Sequence, residues 1–146
     1  MKNLFFVLLV LTAVFSGCKK DDPVPDKVKF IGNYHGTLLL NYYFDNKLSS
    51  TKTIAITETI DNTFPDSEIL IGANSINEMK AMVAGNNISI YNQPVFMDNG
   101  EGVMIPCTAS GYGGISNNVV NLQYDSTGTY LGYSFKYEFT EIISKN

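Results

Sequence analysis

Residues 133–140 alternate aromatic and polar side chains with a period of two. The aromatic positions are Tyr133, Phe135, Tyr137 and Phe139, and the polar positions are Ser134, Lys136, Glu138 and Thr140. Successive side chains of a β-strand point to opposite faces, so this period predicts a strand with one buried and one exposed face. An amphipathic helix would instead need apolar residues three and four positions apart. The segment therefore indicates a sheet that packs one face into a core.

Similar strand character recurs in earlier segments, which are separated by Gly, Asn, Asp and Pro. These segments span residues 34–44, 51–60, 67–71, 79–84, 88–92, 103–110 and 120–125. Gly85-Asn86-Asn87 is a strong hairpin signal because Gly and Asn tolerate positive φ. No segment of ten or more residues has a convincing helical period. About eight antiparallel strands without crossover helices predict an all-β fold, an up-and-down barrel in our interpretation, with a two-sheet β-sandwich as the alternative.

The first 17 residues have the order of a secretory signal peptide. Lys2 precedes the apolar run Leu4–Phe15, and the small pair Ser16-Gly17 follows it. That run would measure about 18 Å as a helix, whereas a bilayer core needs about 20 apolar residues. A transmembrane helix is therefore disfavoured, and we predict that residues 1–17 are a cleaved signal peptide.

The end of this segment, Phe15-Ser16-Gly17-Cys18, resembles the lipobox of bacterial lipoproteins. The resemblance implies that Cys18 is acylated, becomes the first residue of the mature protein and anchors it in the membrane. The following export signal, Lys19, Lys20, Asp21 and Asp22, resembles that of surface lipoproteins of Bacteroidota. The expected location is the cell-surface side of the outer membrane. An ordinary signal peptide is the alternative, although it would want a small residue where Phe15 stands.

Residues 18–27 form a predicted lipid-anchored tether, and residues 28–146 form one predicted domain. The tether carries two prolines and six charged residues, too few apolar groups to build a packed unit. Extended, its ten residues reach about 30–35 Å. The remaining length suffices for a single core without disulfide or metal staples.

The charge balance disfavours a nucleic-acid partner. Residues 18–146 contain nine lysines, no arginine and 14 acidic residues, for a net charge of −5. Phosphate backbones favour clustered Lys and Arg. Cys107 is the only cysteine after Cys18, so no internal disulfide framework is possible. Its alternation with Ile105 and Ala109 predicts a buried core residue rather than a reactive thiol.

Residues for catalysis or metal binding are scarce, so we predict no enzyme activity, no cofactor and no metal. His35 is the only histidine, and we interpret it as a partly exposed strand residue because no nucleophile motif accompanies it. We interpret Asp98-Asn99-Gly100-Glu101 as a turn and Gly111–Gly114 as a flexible connection. Asp125-Ser126-Thr127 resembles the acceptor for O-glycosylation in these bacteria, or forms an ordinary turn with Gly128. The sequence does not separate these two alternatives.

The segment Phe30–Thr37 resembles the first strand of calycin-like, or lipocalin-like, β-barrel lipoproteins. Gly111–Ile115, Val119–Tyr124 and the closing aromatic strand are similar in style to the same group. True lipocalins have Gly-x-Trp in the first strand, whereas Tyr34 takes that place here. The resemblance implies a barrel over the whole domain. It names a fold more than a function, because members of this group mostly have no assigned activity.

Tyrosines are the best candidates for ligand contacts. The predicted ligand-binding residues are Tyr42, Tyr91, Tyr112 and Tyr133. Exposed tyrosine can stack on a sugar ring or grip a partner protein, although aromatics can equally fill a small barrel. We therefore expect a surface lipoprotein that binds a small apolar or glycan ligand. The alternative is a non-catalytic accessory or protein-interaction lipoprotein, part of an envelope complex or an inhibitor.

Overall fold

The computed structural model describes residues 25–62, 67–72, 78–99 and 101–146. The predicted signal peptide, the lipidation site Cys18 and the export signal Lys19–Asp22 lie outside the described residues. Within the described ranges, no helix is long and apolar enough to cross a membrane.

Within these residues, a short 3-10 helix, Asp26–Lys29, precedes eight strands. The strands are β1 Gly32–Phe44, β2 Lys47–Asn62, β3 Glu68–Ile71, β4 Met79–Ala84, β5 Asn87–Asp98, β6 Met104–Ser116, β7 Val119–Tyr130 and β8 Tyr133–Lys145. Each strand pairs antiparallel with the next, and β8 pairs back with β1 to close the ring. The predicted all-β up-and-down barrel is confirmed, and the two-sheet alternative is wrong.

Alternate residues of the strands face the barrel interior, most regularly on β4, β7 and β8. On β8 the buried residues are Phe135, Tyr137, Phe139, Glu141 and Ile143, and on β7 they are Val120, Leu122, Tyr124 and Ser126. The residues between them mostly remain accessible to solvent. The period of two that marks the sequence is therefore the period of inward-facing side chains, as expected for a ring of eight strands.

The glycine-rich segment Gly111–Gly114 lies inside β6, so its interpretation as a flexible connection is wrong. A Cβ atom on Gly111 would lie 2.3 Å from the carbonyl oxygen of Gln123 on β7. A Cβ atom on Gly113 would lie equally close, 2.3 Å, to the carbonyl oxygen of Asn121. These glycines therefore allow a close approach between two strand backbones, a role that glycine takes inside sheets.

Asp125-Ser126-Thr127 also lies within a strand, because β7 continues to Tyr130. The turn prediction is wrong here. Ser126 is fully buried inside the barrel, so the folded chain encloses the hydroxyl that a sugar would modify. Pro106, a residue that cannot donate to a strand ladder, lies within β6 of the closed ring. It pairs with Phe96 of β5 and lies just beyond the last β6–β7 pair, Cys107 with Gly128.

Asparagine and aspartate form the tight hairpins. Asp45 and Asn46 join β1 to β2, and Asn117 and Asn118 join β6 to β7, all four with positive φ. Two-residue loops with this conformation match the twist of the paired strands. The predicted turn near Asp98 is confirmed among its described residues. The Asn99 side chain there accepts hydrogen bonds from the amides of Glu101 and Val103.

The 3-10 helix closes one end of the barrel. The Asp26 carboxylate accepts a hydrogen bond of 2.7 Å from the Gly85 amide in the β4–β5 turn. Phe30 is fully buried behind the helix, and its carbonyl oxygen accepts a bond of 2.6 Å from the Tyr34 hydroxyl. Lys27 is also buried. Asp26 and Lys27, placed in the tether by their composition, therefore belong to the folded unit.

β3 and β4 are the shortest strands of the barrel. β3 has four residues and β4 has six, between neighbours of 16 and 12 residues. β2 consequently pairs with β3 only over Ile60–Asn62. Most of β2 extends beyond this pairing, toward the end of the barrel opposite the 3-10 helix.

Candidate functional site

Three cavities follow one another down the inward faces of β1 and β8. The mouth has a volume of about 590 Å³ and is lined by Tyr42, Phe44, Ser49, Asn99, Glu101, Val103, Tyr130, Leu131, Tyr133 and Phe135. The middle cavity, of about 290 Å³, is lined by Leu40, Tyr42, Ser49, Ser50, Lys52, Asp98, Asn99 and Tyr137. The deep cavity, of about 180 Å³, is lined by Leu38, Ile56, Glu58, Ile71, Gly72, Met79, Met97, Tyr124, Phe139 and Glu141.

The mouth is built from the ends of three strand pairs, opposite the closed end of the barrel. Its apolar wall comes from the pairing of β1 with β8, which sets Phe44 opposite Phe135. The Phe44 ring lies 5.1 Å from the Tyr133 ring and 5.3 Å from the Phe135 ring, measured between centroids. Tyr42 stacks on Tyr137 at 5.1 Å, one level deeper. The alternating aromatics of β8 thus form a continuous inner wall, with polar side chains at the rim.

Two glutamates lie at the deep end of this wall. Glu141 of β8 is 3% exposed, and its Oε1 atom accepts a hydrogen bond of 2.6 Å from the Tyr124 hydroxyl. Its other oxygen, Oε2, is buried and has no hydrogen-bond partner among the described residues. Glu58 of β2 lines the same cavity. The barrel therefore holds two carboxyl groups inside an otherwise mainly apolar space.

Burial and mutual repulsion change the acidity of this pair. Burial, and then the charge of Glu141, raise the pKa of Glu58 to about 7, although a hydrogen bond from the Gly72 amide opposes the shift. Burial also raises the pKa of Glu141, against the effect of the Tyr124 hydroxyl. The pKa of Tyr124 is raised by burial and by both carboxylates. Both carboxyls therefore hold a proton to higher pH than exposed glutamates do.

The four candidate tyrosines divide into two pairs. Tyr42 and Tyr133 both line the mouth. Tyr91 and Tyr112 lie on the outer surface, where the Tyr91 hydroxyl donates to Glu68 and the Tyr112 hydroxyl donates to Gln123. The structure thus brings two of the four together at one cavity and places the other two outside the barrel.

The remaining reactive residues lie apart from the deep cavity. His35 is exposed on the outside of β1, where its ring contacts the side chain of Asn146. Cys107 is buried as predicted, and burial raises the pKa of its thiol. In the described part of the chain, no three His, Cys, Asp or Glu side chains cluster as a metal site.

Sequence reasoning did not select Glu58 and Glu141 as site residues. Glu58 lies two residues after Ile56 and two residues before Ile60, at the alternate positions of β2 that face inward. Its place in this alternation already indicated an inward side chain. Glu141 lies two residues after Phe139, at the next inward-facing position of β8. The strand was expected to end at Thr140, one residue earlier. A charged residue at an inward position is the signal that marks both.

Comparison with protein-family models, with curated proteins and with solved structures gives no significant match. The resemblance to lipocalin-like lipoproteins therefore stays a prediction from the sequence motifs. The chemistry of the site has to be inferred from its own residues.

Proposed function

We propose that this chain is an outer-membrane lipoprotein, anchored through Cys18 and exposed on the cell surface, whose barrel binds a small apolar or glycan ligand. The observation that carries the ligand-binding role is the aromatic mouth at the open end of the barrel. Tyr42, Phe44 and Tyr133 share this cavity with the polar side chains of Ser49 and Asn99.

The composition of the mouth suits a ligand with an apolar face and a few polar groups. Ligand sites in proteins are commonly concave and apolar, with a small number of polar side chains that fix orientation. Aromatic rings provide large apolar surfaces and also stack on sugar rings. Tyr133 is 51% exposed although its ring packs on Phe44. A ligand that covered this exposed surface would remove apolar area from water.

Matched tyrosine variants test ligand binding at the mouth. Tyr133→Ala removes an exposed ring from the mouth, whereas Tyr112→Ala removes a 64% exposed ring from the outer wall. We expect a dansyl-labelled fatty acid, or a member of a panel of immobilised oligosaccharides, to bind the full chain. Binding should weaken in Tyr133→Ala and remain unchanged in Tyr112→Ala. Equal effects of the two variants, or no binding by the unaltered chain, would contradict the proposal.

The membrane anchor has its own test. Cys18→Ala removes the only side chain that the lipobox resemblance proposes for acylation. The variant should leave the outer-membrane fraction, while a Cys107→Ala control should remain there. Retention of Cys18→Ala in the membrane fraction would exclude the lipid anchor.

A protein partner is the second candidate, and the β7–β8 turn favours it. Leu131 occupies the tip of this turn with φ +51° and is 80% exposed. Asn and Gly adopt this conformation more readily than leucine, so turn geometry does not explain the residue. An exposed apolar tip beside the mouth suits contact with another protein.

Photo-crosslinking tests this second role. A crosslinker at position 131 in growing cells should capture a discrete protein if the tip docks on a partner. The same crosslinker at position 117, in the turn at the opposite end, is the control. Capture at both positions, or at neither, counts against a partner at the tip.

A further inference from the structure

The deep cavity surrounds two acids with an apolar wall. Its apolar side chains are Leu38, Ile56, Ile71, Met79, Met97 and Phe139. Its titratable side chains are Glu58 of β2, Tyr124 of β7 and Glu141 of β8, and none of the described lining residues is basic. A carboxylate enclosed in this way lacks the counter-charge that buried charges normally have.

One carboxyl oxygen of Glu141 is buried without a hydrogen-bond partner among the described residues. Its carboxyl is almost completely buried, yet the Tyr124 hydroxyl satisfies only Oε1. Oε2 has no donor among the described residues. Buried polar atoms in folded proteins nearly always have a hydrogen-bond partner. In its ionised form Glu141 therefore lacks a donor for Oε2. Glu58, which lies on β2, two strands away around the ring, lines the same cavity.

We infer that the deep cavity binds a small organic cation, with its ammonium group between the carboxyls of Glu58 and Glu141 and its apolar body against the surrounding wall. This inference rests on the proposed ligand-binding function, because it names the chemical class of ligand at the inner end of the same barrel. An ammonium group donates up to three hydrogen bonds. It also carries the positive counter-charge that the lining of the cavity does not supply to the two carboxylates.

Other ligand classes fit the two acids less well. A neutral hydroxyl could donate to Glu141 Oε2, but it would leave the repulsion between the two carboxylates in place. An anion would add to that repulsion. An ammonium ion satisfies the orphan oxygen and attracts both carboxylates. The electrostatics of the cavity therefore favour a cation.

The size of the cavity limits the ligand. A cavity of about 150 Å³ accepts a molecule of benzene size, and the deep cavity measures about 180 Å³. One ring or a short alkyl chain with an attached amine fits this space. The middle cavity, between the mouth and the deep cavity, is lined by one basic side chain, Lys52, and one acidic side chain, Asp98. A cation that enters from the mouth therefore meets a carboxylate as well as an ammonium group.

The pKa of Glu58 makes the binding depend on pH. Burial and the charge of Glu141 raise this pKa to about 7, whereas an alkylammonium group keeps its proton well above that pH. Protonation of Glu58 removes one of the two charges that attract the cation. Affinity should therefore increase as the pH rises from about 5.5 to 8.5.

Benzylammonium and benzyl alcohol provide a matched pair of probes, since they have the same shape and differ in charge. We expect titration calorimetry on the full chain at pH 8 to show benzylammonium binding at least about tenfold tighter than benzyl alcohol. Its affinity should fall at pH 5.5. Equal affinity for the two probes would overturn the inference while leaving a ligand-binding barrel intact, and no binding of either probe would also overturn it.

Two isosteric variants locate the site. Glu141→Gln should weaken benzylammonium binding by about ten- to hundredfold, whereas Glu138→Gln, on the same strand but bonded to Lys136 and Tyr43, should leave it unchanged. An unchanged affinity in Glu141→Gln would overturn the inference. The probe comparison on the unaltered chain decides the matter even if a variant does not fold. The mouth variant Tyr133→Ala is scored separately with the fatty-acid and oligosaccharide probes, so failure of the two proposals can be told apart.

Discussion

The Tyr124 hydroxyl donates a hydrogen bond of 2.6 Å to the carboxyl group of Glu141 inside the barrel. The Tyr124 ring also stacks on Phe139 with centroids 4.5 Å apart. The hydroxyl is therefore held in position by the aromatic wall. Within the described chain, the Tyr124 hydroxyl is the only group that donates a hydrogen bond to the Glu141 carboxyl. This hydrogen bond should therefore contribute measurably to the free energy of unfolding.

Removing this hydroxyl should destabilise the barrel. Tyr124→Phe leaves the buried Glu141 carboxyl without its donor, which should cost about 1–3 kcal/mol of unfolding free energy. Tyr112→Phe removes an exposed hydroxyl that bonds to Gln123, and should change stability by less than about 0.5 kcal/mol. Urea unfolding of both variants at pH 7 measures the difference. Equal costs would mean that the buried bond contributes little.

The raised pKa of Glu58 predicts how stability depends on pH. Its pKa is about 7 in the folded chain, against a reference value of 4.5, so the folded state binds the extra proton between these values. The contribution of Glu58 to stability should therefore be fully present below about pH 4.5 and be lost as the pH rises through 7. After allowance for partial solvent access, the loss should be on the order of 1–2 kcal/mol.

Glu58→Gln should remove the part of this pH dependence that comes from Glu58, because the amide does not titrate, while Glu141, whose pKa burial also raises, keeps its own part. Glu138→Gln is the control. Hydrogen bonds from Lys136 and Tyr43 lower the pKa of Glu138, so its contribution is lost only at more acidic pH. Thermal unfolding from pH 5 to 8.5 checks both variants. A slope in Glu58→Gln equal to that of the unaltered chain would assign the effect to other groups.

The close approach of β6 and β7 predicts a severe effect of a single methyl group. Gly111→Ala places a Cβ atom 2.3 Å from the Gln123 carbonyl oxygen, which is a backbone atom and cannot rotate away. We expect a loss of about 3 kcal/mol or more. Gly85→Asn is the control, because its Cβ meets no atom within 4 Å and its φ of +60° lies in the left-handed region that asparagine adopts. Chemical denaturation should separate the two variants clearly.

The closed end of the barrel depends on one aromatic residue. Phe30 is fully buried, so Phe30→Ala should cost about 3–5 kcal/mol. Val28→Ala, two residues earlier, truncates a side chain that is 46% exposed and should cost much less. Hydrogen exchange at the Gly85 amide, which bonds to Asp26, should accelerate in Phe30→Ala. Unchanged exchange would show that the helix stays docked without this ring.

Periodicity predicted the strands but not all of their ends. The fifth strand was expected to stop at Asn92, yet β5 continues to Asp98. The β5–β6 register shifts between Ile90 and Gln93, so a bulge interrupts the alternation on which the prediction depends. Similarly, Gly111–Gly114 looked like a loop because glycine is common in both loops and tight strand contacts. Only the position of β7 distinguishes these two roles.

The candidate site was harder to predict than the fold. Tyr42 and Tyr133 were selected for their residue type, and the β1–β8 pairing brings them to one cavity. That pairing depends on how the ring closes, which alternation within single strands does not specify. In the sequence, Glu58 and Glu141 both occupy alternate strand positions that face inward. Their meeting in one cavity depends on strands that are distant along the chain.

Ring closure also has a kinetic consequence. β8 reaches β1 through pairs such as Tyr34 with Lys145, whereas every other pairing joins strands that are consecutive in sequence. Consecutive hairpins form in about 1–10 microseconds, but contacts between distant segments form more slowly. Until β8 docks, β1 has an unpaired edge that can add a strand from another molecule. The 13 residues of β8 therefore decide whether a folding chain becomes a closed monomer or an aggregate.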